Sequence, residues 1–249
     1  MIVLTQVDAG GDTGIPAAWM QQALLSGIEV WNTATNRCRV PRLALSDGIE
    51  TRAWHKQDGR SLVSVVTPSD CKRDDPSSDL CGDQQTAART AIYPQSAPGS
   101  ARDGLMEEAD IELNAVHFRW ALDGGGTAAN LRRAIHHELG HVLGLAHPCT
   151  YGATSASQLP NCNEPRFSTE LMNPDAAIRE VPISLAPSAG DINELCTLYG
   201  PREPSSPSTA NHSARIERDW KVRALAWCLV LITATTFLVR YRRDRATQK

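Results

Sequence analysis

The most informative run of the chain is His137-Glu138-Leu139-Gly140-His141-Val142-Leu143-Gly144-Leu145-Ala146-His147. His137 and His141 are four residues apart, so on a helix their imidazoles project from one face, about one turn apart. Gly144 can adopt the left-handed backbone that ends a helix, which lets His147 come round as a third ligand. Three imidazoles with an open fourth position are what a mononuclear catalytic zinc site requires.

Glu138 adjoins the first of these ligands, where its carboxylate suits a general base that acts on water at the metal. A pair of histidines at helical spacing is often only a packed or surface pair. The added glycine and third histidine at fixed offsets make chance a poor explanation here. The sequence therefore predicts one catalytic Zn²⁺ held by His137, His141 and His147. His136 points to another face of the helix and is predicted to be packed or solvated.

Two further segments carry a resemblance to a known family. Leu171-Met172-Asn173-Pro174 resembles the methionine-containing turn that lies under the metal in metzincin metallopeptidases. Residues 188–200, which begin Ser-Ala-Gly-Asp-Ile and end Leu-Tyr-Gly, resemble the closing helix of the matrixin branch. With the zinc motif, these segments make the chain similar to a matrixin-like metzincin, of the peptidase family M10 type, over residues 1–200.

The chain departs from the matrixin pattern in three respects. Matrixins carry two adjacent Asp residues at the start of the closing helix, whereas this chain has Gly190-Asp191. The sequence also lacks the His-x-Asp run of the matrixin structural-zinc loop and a propeptide Cys switch. The resemblance therefore implies one catalytic zinc and gives no support for a second zinc or for latency through a thiolate.

The resemblance implies an α+β fold, in which a twisted mixed β-sheet packs with an N-terminal helix, an active-site helix and a C-terminal helix. Hydrophobic periodicity predicts the first helix over residues 16–34, with Pro16 at its start. The zinc helix is predicted over residues 127–144. Short strands are predicted at residues 1–7, 39–45, 62–67, 87–93 and 109–113.

The function implied by the resemblance is a zinc-dependent endopeptidase, which hydrolyses peptide bonds through a zinc-activated water with Glu138 as general base. Met172 would form an apolar floor under the metal without touching it. An extended substrate would pair with the edge strand at residues 87–93, and residues 174–183 would wall the pocket for the residue after the cut. The residues predicted to contact substrate are Ala87, Thr90, Ile92 and Pro174.

Two alternatives to a peptidase remain at this stage. The first is a catalytically inactive, metal-stapled and membrane-tethered binding module, which would favour a closed site with four protein ligands. The second is a zinc hydrolase that acts on a non-peptide amide, which the motif alone does not distinguish. Asp110, Glu112 and Asp123 are candidate Ca²⁺ ligands, but no twelve-residue calcium loop supports such a site.

The composition of the chain is that of an ordinary globular protein, with 249 residues, 41% hydrophobic residues and a formal charge of −3. No basic region points to nucleic acid, so the expected partner is a protein or peptide substrate, and the chain is expected to be a monomer.

Six of the seven Cys residues fall within residues 1–200, and none belongs to a C-x-x-C pair. This even number favours disulfides in an oxidising compartment over the alternative of reduced thiols in a cytosolic protein. Short separations predict the pairs Cys71–Cys81 and Cys149–Cys162.

The composition changes after residue 200. Residues 201–220 are predicted to be a linker rich in Pro and Ser. Residues 224–239 carry no charge, so residues 221–241 are predicted to form a transmembrane helix, followed by a basic tail at 242–249. The alternatives for the apolar segment are a docking helix or a sorting tail that is later removed.

The predicted topology would place the catalytic domain outside the cytoplasm, at the cell surface, in a periplasm or in a secreted form. An export signal would need a charged region and an apolar region ahead of the first strand. Neither precedes Ile2, so we expect a start upstream of Met1.

Overall fold

A computed structural model describes residues 1–7, 14–50, 58–72, 78–94, 106–153, 157–175, 177–178 and 184–202. The strands in these residues are β1 (Ile2–Val7), β2 (Leu43–Glu50), β3 (Ser61–Val66), β4 (Ala88–Pro94), β5 (Met106–Asn114), β6 (Trp120–Ala121) and β7 (Ala129–Asn130). The α-helices are α1 (Ala17–Ala34), α2 (Leu131–Val142) and α3 (Ala189–Tyr199). The predicted α+β class is therefore confirmed.

Five of the strands form one sheet in the order β2-β1-β3-β5-β4. The pairs β1–β2, β1–β3 and β3–β5 are parallel, and β4 is antiparallel to β5. The sheet is thus mixed, as predicted, and β4 is a strand at its edge. β6 and β7 form a separate parallel pair.

Helix α1 follows Pro16, whose fixed φ suits the residue that precedes a helix. Apolar side chains recur along one face of α1 and are buried, as helical periodicity predicts: Met20, Leu24, Ile28 and Trp31. This face packs against α2, where Gly27 allows a close approach. A Cβ atom on Gly27 would lie 2.7 Å from Leu139 Cδ1.

The hydrophobic core joins the sheet to α1 and α2. Its fully buried side chains include Leu4 and Ile111 of the sheet, Trp31 of α1 and Leu139 of α2. Because burial of one such side chain contributes about 1.5–3 kcal/mol, this cluster holds α2 in place. The helix that carries the histidine motif is thereby fixed in position by packing rather than by the motif itself.

Helix α2 begins at Leu131, later than the predicted start at residue 127. The side chain of Asn130 caps it by accepting a hydrogen bond from Arg133 N at 2.9 Å. Asn130 and the preceding Ala129 pair as strand β7 with β6. Tertiary pairing therefore takes these residues away from the helix.

The predicted strands are found within a few residues of their expected bounds, except for β2. That strand begins at Leu43 rather than at residue 39 and continues to Glu50. Pro41 explains the late start, because proline has no N–H for the ladder.

Helix α3 lies within the predicted closing segment and begins with a reciprocal cap. Ser188 Oγ accepts a hydrogen bond from Asp191 N, and Asp191 Oδ2 accepts one from Ser188 N at 2.8 Å. At the other end, Tyr199 donates a hydrogen bond to Leu143 O at 3.0 Å. This contact ties the end of α3 to the turn that follows α2.

Three disulfides cross-link the described residues. Cys71–Cys81 and Cys149–Cys162 confirm the two predicted pairs, and Cys38–Cys196 joins the segment after α1 to α3. Because such bonds form and persist where the surroundings are oxidising, they indicate an oxidising compartment.

The prediction of a membrane anchor is corrected. No helix in the part of the chain that the structure describes is long and apolar enough to cross a bilayer. Residues 221–241, the tail at 242–249 and all of the predicted linker after Arg202 lie outside the described residues. Membrane attachment and the membrane-anchored location are therefore withdrawn.

Candidate metal centre

Helix α2 positions the first two histidines on one face. Trp31 of α1 donates a hydrogen bond from its indole nitrogen to His136 O at 2.8 Å, which fixes α2 beside the ligands. His137 is 5% exposed, and His141 follows one turn later. The helical spacing thus produces the predicted pair of adjacent imidazoles.

The turn after α2 brings the third histidine back to this face. Gly144 has a φ of 99°, in the left-handed region that glycine adopts without strain. Leu145 N then donates a hydrogen bond to Gly140 O at 3.0 Å, which closes the turn. His147 follows and faces the two histidines of the helix.

The three histidines converge on one point. The Nε2 atoms of His137, His141 and His147 lie 3.1 Å from one another in each pair. A tetrahedral zinc with bonds of about 2.0–2.1 Å would hold its nitrogen ligands about 3.3 Å apart. The three residues could therefore hold a metal ion, and they form a group of potential ligands within the described residues.

Backbone carbonyls fix the tautomers of two of these rings. His137 Nδ1 lies 2.7 Å from Leu171 O, and His141 Nδ1 lies 2.8 Å from Leu145 O. Since a carbonyl oxygen only accepts hydrogen bonds, each Nδ1 carries the proton. The Nε2 lone pairs of both rings are therefore free for a metal. Hydrogen bonds of this kind orient the histidines that bind metals in other proteins.

Burial keeps two of the ligands neutral. It lowers the pKa of His137 well below the ordinary value, and the nearby His141 and His147 add to this effect. Burial, followed by the proximity of His141, lowers the pKa of His147 to about 4. Because only a neutral imidazole can bind a metal, both groups are ready for coordination at neutral pH.

Glu138 lies beside the convergence point and is 4% exposed. Its Oε2 accepts a hydrogen bond from Thr90 Oγ1 at 2.6 Å. Burial raises the pKa of the carboxyl above its ordinary value, while His141 and the hydrogen bond from Thr90 oppose this rise. A buried carboxylate with a raised pKa next to potential metal ligands is suited to proton transfer.

Met172 lies against α2 on the side of the three histidines and is fully buried. A Cβ atom on Gly140 would overlap Met172 Sδ, so the thioether packs directly on the helix between His137 and His141. The preceding residue, Leu171, supplies the carbonyl that orients His137. The segment that resembled the methionine turn is thus packed beside the histidines.

A cleft of about 450 Å³ opens beside the three histidines and Glu138. All four residues predicted to contact substrate line it: Ala87, Thr90, Ile92 and Pro174. Strand β4 contributes one wall of the cleft, and Asp175, Ala177 and Ile178 contribute another. The rest of the predicted wall, residues 176 and 179–183, lies outside the described residues.

Two hydrogen bonds attach the chain after Met172 to α2. Asn130 N donates to Ala177 O at 2.8 Å, and His136 Nδ1 lies 2.7 Å from Leu185 O. His136 Nε2 also lies 2.8 Å from Ser26 Oγ of α1. His136 is therefore packed, which is one of the two alternatives that the sequence predicted.

The three carboxylates that are candidate calcium ligands have other partners in the structure. Asp123 pairs with Arg132 at 2.8 Å. Asp110 accepts a hydrogen bond from Leu62 N, and Glu112 accepts one from Ser78 Oγ. Among the described residues, these carboxylates do not form a metal-binding group with one another.

The sequence missed one contact in the site. Thr90 was predicted to contact substrate, but its hydroxyl is bonded to Glu138. No signal within β4 indicates this bond, because the packing of the sheet against α2 brings the two residues together.

Comparison with known proteins does not name a family. No model of a protein family matches the chain, and no curated protein sequence matches it. Any functional conclusion therefore rests on the site itself.

Proposed function

We propose that the protein is a zinc-dependent endopeptidase of matrixin-like metzincin type. The observation that carries the proposal is the convergence of three imidazole nitrogens beside one buried carboxylate in a cleft. Imidazole nitrogen is a suitable ligand for zinc. Three protein ligands leave a fourth position for water or substrate, which is the arrangement of catalytic zinc sites.

Glu138 is the residue to which we assign proton transfer. Bound zinc would act as a Lewis acid toward the scissile carbonyl and the attacking water. Glu138 would accept the proton of that water and deliver it to the leaving amine. Its raised pKa suits a group that must both take up and return a proton.

The shape of the cleft favours an extended peptide as substrate. Strand β4 is an edge strand of the five-stranded sheet and runs along the cleft beside Glu138. Backbone pairing with a strand edge recognises any peptide, and side-chain pockets select among sequences. Ile92 and Ile178, 40% and 42% exposed, line the cleft and would favour apolar substrate side chains.

The metzincin part of the proposal rests on the surroundings of the histidines. Three features support it: the glycine turn at Gly144, the buried Met172 and the position of β4 at the edge of the sheet. A binding module in which the metal only stabilises the fold agrees less well with this site, because structural zinc normally has four protein ligands. The described residues supply three at this point.

The test compares the zinc-loaded full chain, the chelated chain and the Glu138→Gln variant on a peptide library, with products read by mass spectrometry. We expect Glu138→Gln to keep about one zinc per chain and to lose about 10²–10⁴-fold in turnover, because the amide keeps the shape and removes the base. Glu29→Gln, on the exposed side of α1, is the matched control and should keep full activity.

Cleavage that survives chelation, or a near-native rate in Glu138→Gln, would contradict the proposal. Loss of zinc from Glu138→Gln would instead show that this carboxylate is a ligand. Binding of zinc without cleavage of any peptide would favour the binding module or a non-peptide substrate.

A further inference from the structure

Thr90 connects the edge strand of the sheet to the carboxylate on α2. Its Oγ1 lies 2.6 Å from Glu138 Oε2 and 3.4 Å from Glu138 O. The shorter contact is a hydrogen bond from the hydroxyl to a carboxylate, which is among the stronger types in proteins. The two residues are 48 positions apart, so the packing of β4 against α2 creates this contact.

The torsion that turns a glutamate carboxylate has a broad, roughly two-fold preference, so hydrogen bonds decide its orientation. In the part of the chain that the structure describes, Thr90 supplies the hydrogen bond to the Glu138 side chain. That bond occupies Oε2. Oε1 is therefore the oxygen with the fewer hydrogen bonds, and it is the one to which we assign the proton.

Thr90 is itself held in place. In β4 it lies opposite Ile111 of β5, so the ladder fixes its backbone. A β-branched side chain on a strand has a restricted χ1, which keeps the hydroxyl in one direction. The sheet therefore determines the orientation of the carboxylate through one stiff side chain.

We propose that Thr90 is a positioning residue for Glu138, an inference that rests on the proposed peptidase function. Its hydroxyl holds the carboxylate plane so that Oε1 faces the attacking water during proton transfer. Thr90 does not itself touch the reacting atoms. Its removal should slow the chemical step and leave substrate binding nearly unchanged.

The kinetic test uses the zinc-loaded full chain with Thr90→Val, which removes the hydroxyl at constant shape, and Thr90→Ser, which keeps it. We expect Thr90→Val to lower kcat about 10- to 100-fold with KM within about twofold, and Thr90→Ser to stay within about threefold of native kcat. Thr5→Val on β1 makes the same change elsewhere in the sheet and should leave both constants unchanged.

A double variant separates this role from general damage. In the Glu138→Gln background, Thr90→Val should cause no further loss, because the group that it positions is already absent. A full additional 10- to 100-fold loss there would overturn the proposal. Equal defects in Thr90→Val and Thr90→Ser, or an effect confined to KM, would overturn it as well.

A structural readout makes the test independent of activity. In zinc-loaded crystals, the Glu138 carboxylate should keep its plane in the native chain and in Thr90→Ser, and should rotate or occupy two orientations in Thr90→Val. Thr90→Ala serves in place of Thr90→Val if valine disturbs the strand. An unchanged carboxylate in either hydroxyl-free variant overturns the proposal. A native chain that cleaves no peptide refutes the peptidase function, while the crystals still decide the role of Thr90.

Discussion

At the scale of single residues, two histidines that are neutral in the fold connect stability to pH. His147 has a pKa of about 4 in the folded chain, against 6.5 for an ordinary histidine, and the pKa of His137 is also lowered. Between these values the unfolded chain binds protons that the folded chain does not. As far as these two groups are concerned, the free energy of unfolding is therefore highest above pH 6.5. It falls as the pH is lowered toward 4.

We expect the metal-free protein to lose stability as the pH falls from 6.5 to 4, with His147 contributing on the order of 2 kcal/mol after allowance for its partial exposure. The measurement is urea unfolding with a chelator at pH 7, 6, 5 and 4. His147→Asn is the control, and its unfolding free energy should change less over this range. A constant difference between the two proteins at all four pH values would refute this expectation.

The convergence of His137, His141 and His147 could be predicted because they lie within eleven residues, where helix geometry and one turn fix their spacing. The hydrogen bond between Thr90 and Glu138 could not. It joins residues that only the packing of the sheet against α2 brings together.

At the scale of elements, the close approach of α2 to its neighbours depends on a glycine, Gly140, which has no side chain. A Cβ atom on Gly140 would overlap Met172 Sδ and lie 3.0 Å from Trp31 Cζ2. Both neighbouring side chains are fully buried. Neither can move aside without displacing other parts of the core.

Gly140→Ala should therefore lower the free energy of unfolding by about 1–2 kcal/mol, because overpacking outweighs the gain of about 1 kcal/mol in helix propensity. It should also weaken zinc binding by displacing the layer under the ligands. Gly82→Ala adds the same methyl group where no atom lies within 4 Å and should change stability by less than about 0.5 kcal/mol. Equal stability of the two variants in denaturant melts would show that α2 can shift.

Element bounds were predictable where local signals act alone. The buried face of α1 and the cap of α3 follow from residues within each helix. The start of α2 does not, because β7 takes its preceding residues into pairing with β6.

At the scale of the whole molecule, Cys38–Cys196 joins parts of the chain that are 158 residues apart. The neighbouring backbone is paired too, since Arg39 N donates to Gly200 O and Arg202 N donates to Arg37 O. The disulfide thus closes a loop that runs from the segment after α1 to α3 and leaves β1 and α1 outside it. Sequence separation gave no signal for this pair, in contrast to the two short loops.

Loop-closure entropy predicts that replacing both Cys38 and Cys196 by Ser costs about 5 kcal/mol, against about 3 kcal/mol for Cys71 and Cys81, whose separation is 10 residues. Guanidinium unfolding of the two double variants measures the difference. The expected order is native, then the short-loop variant, then the long-loop variant. A long-loop variant as stable as the short-loop variant would contradict the entropic account.

The converging imidazoles also bear on which ion the protein acquires. They present nitrogen donors without thiolate, and such sites bind first-row divalent ions with affinities that rise to copper and fall again at zinc. The three histidines therefore do not select zinc by affinity, and at equal free concentrations copper would displace it. An ion bound there would then depend on the geometry of the site and on which ions its surroundings make available.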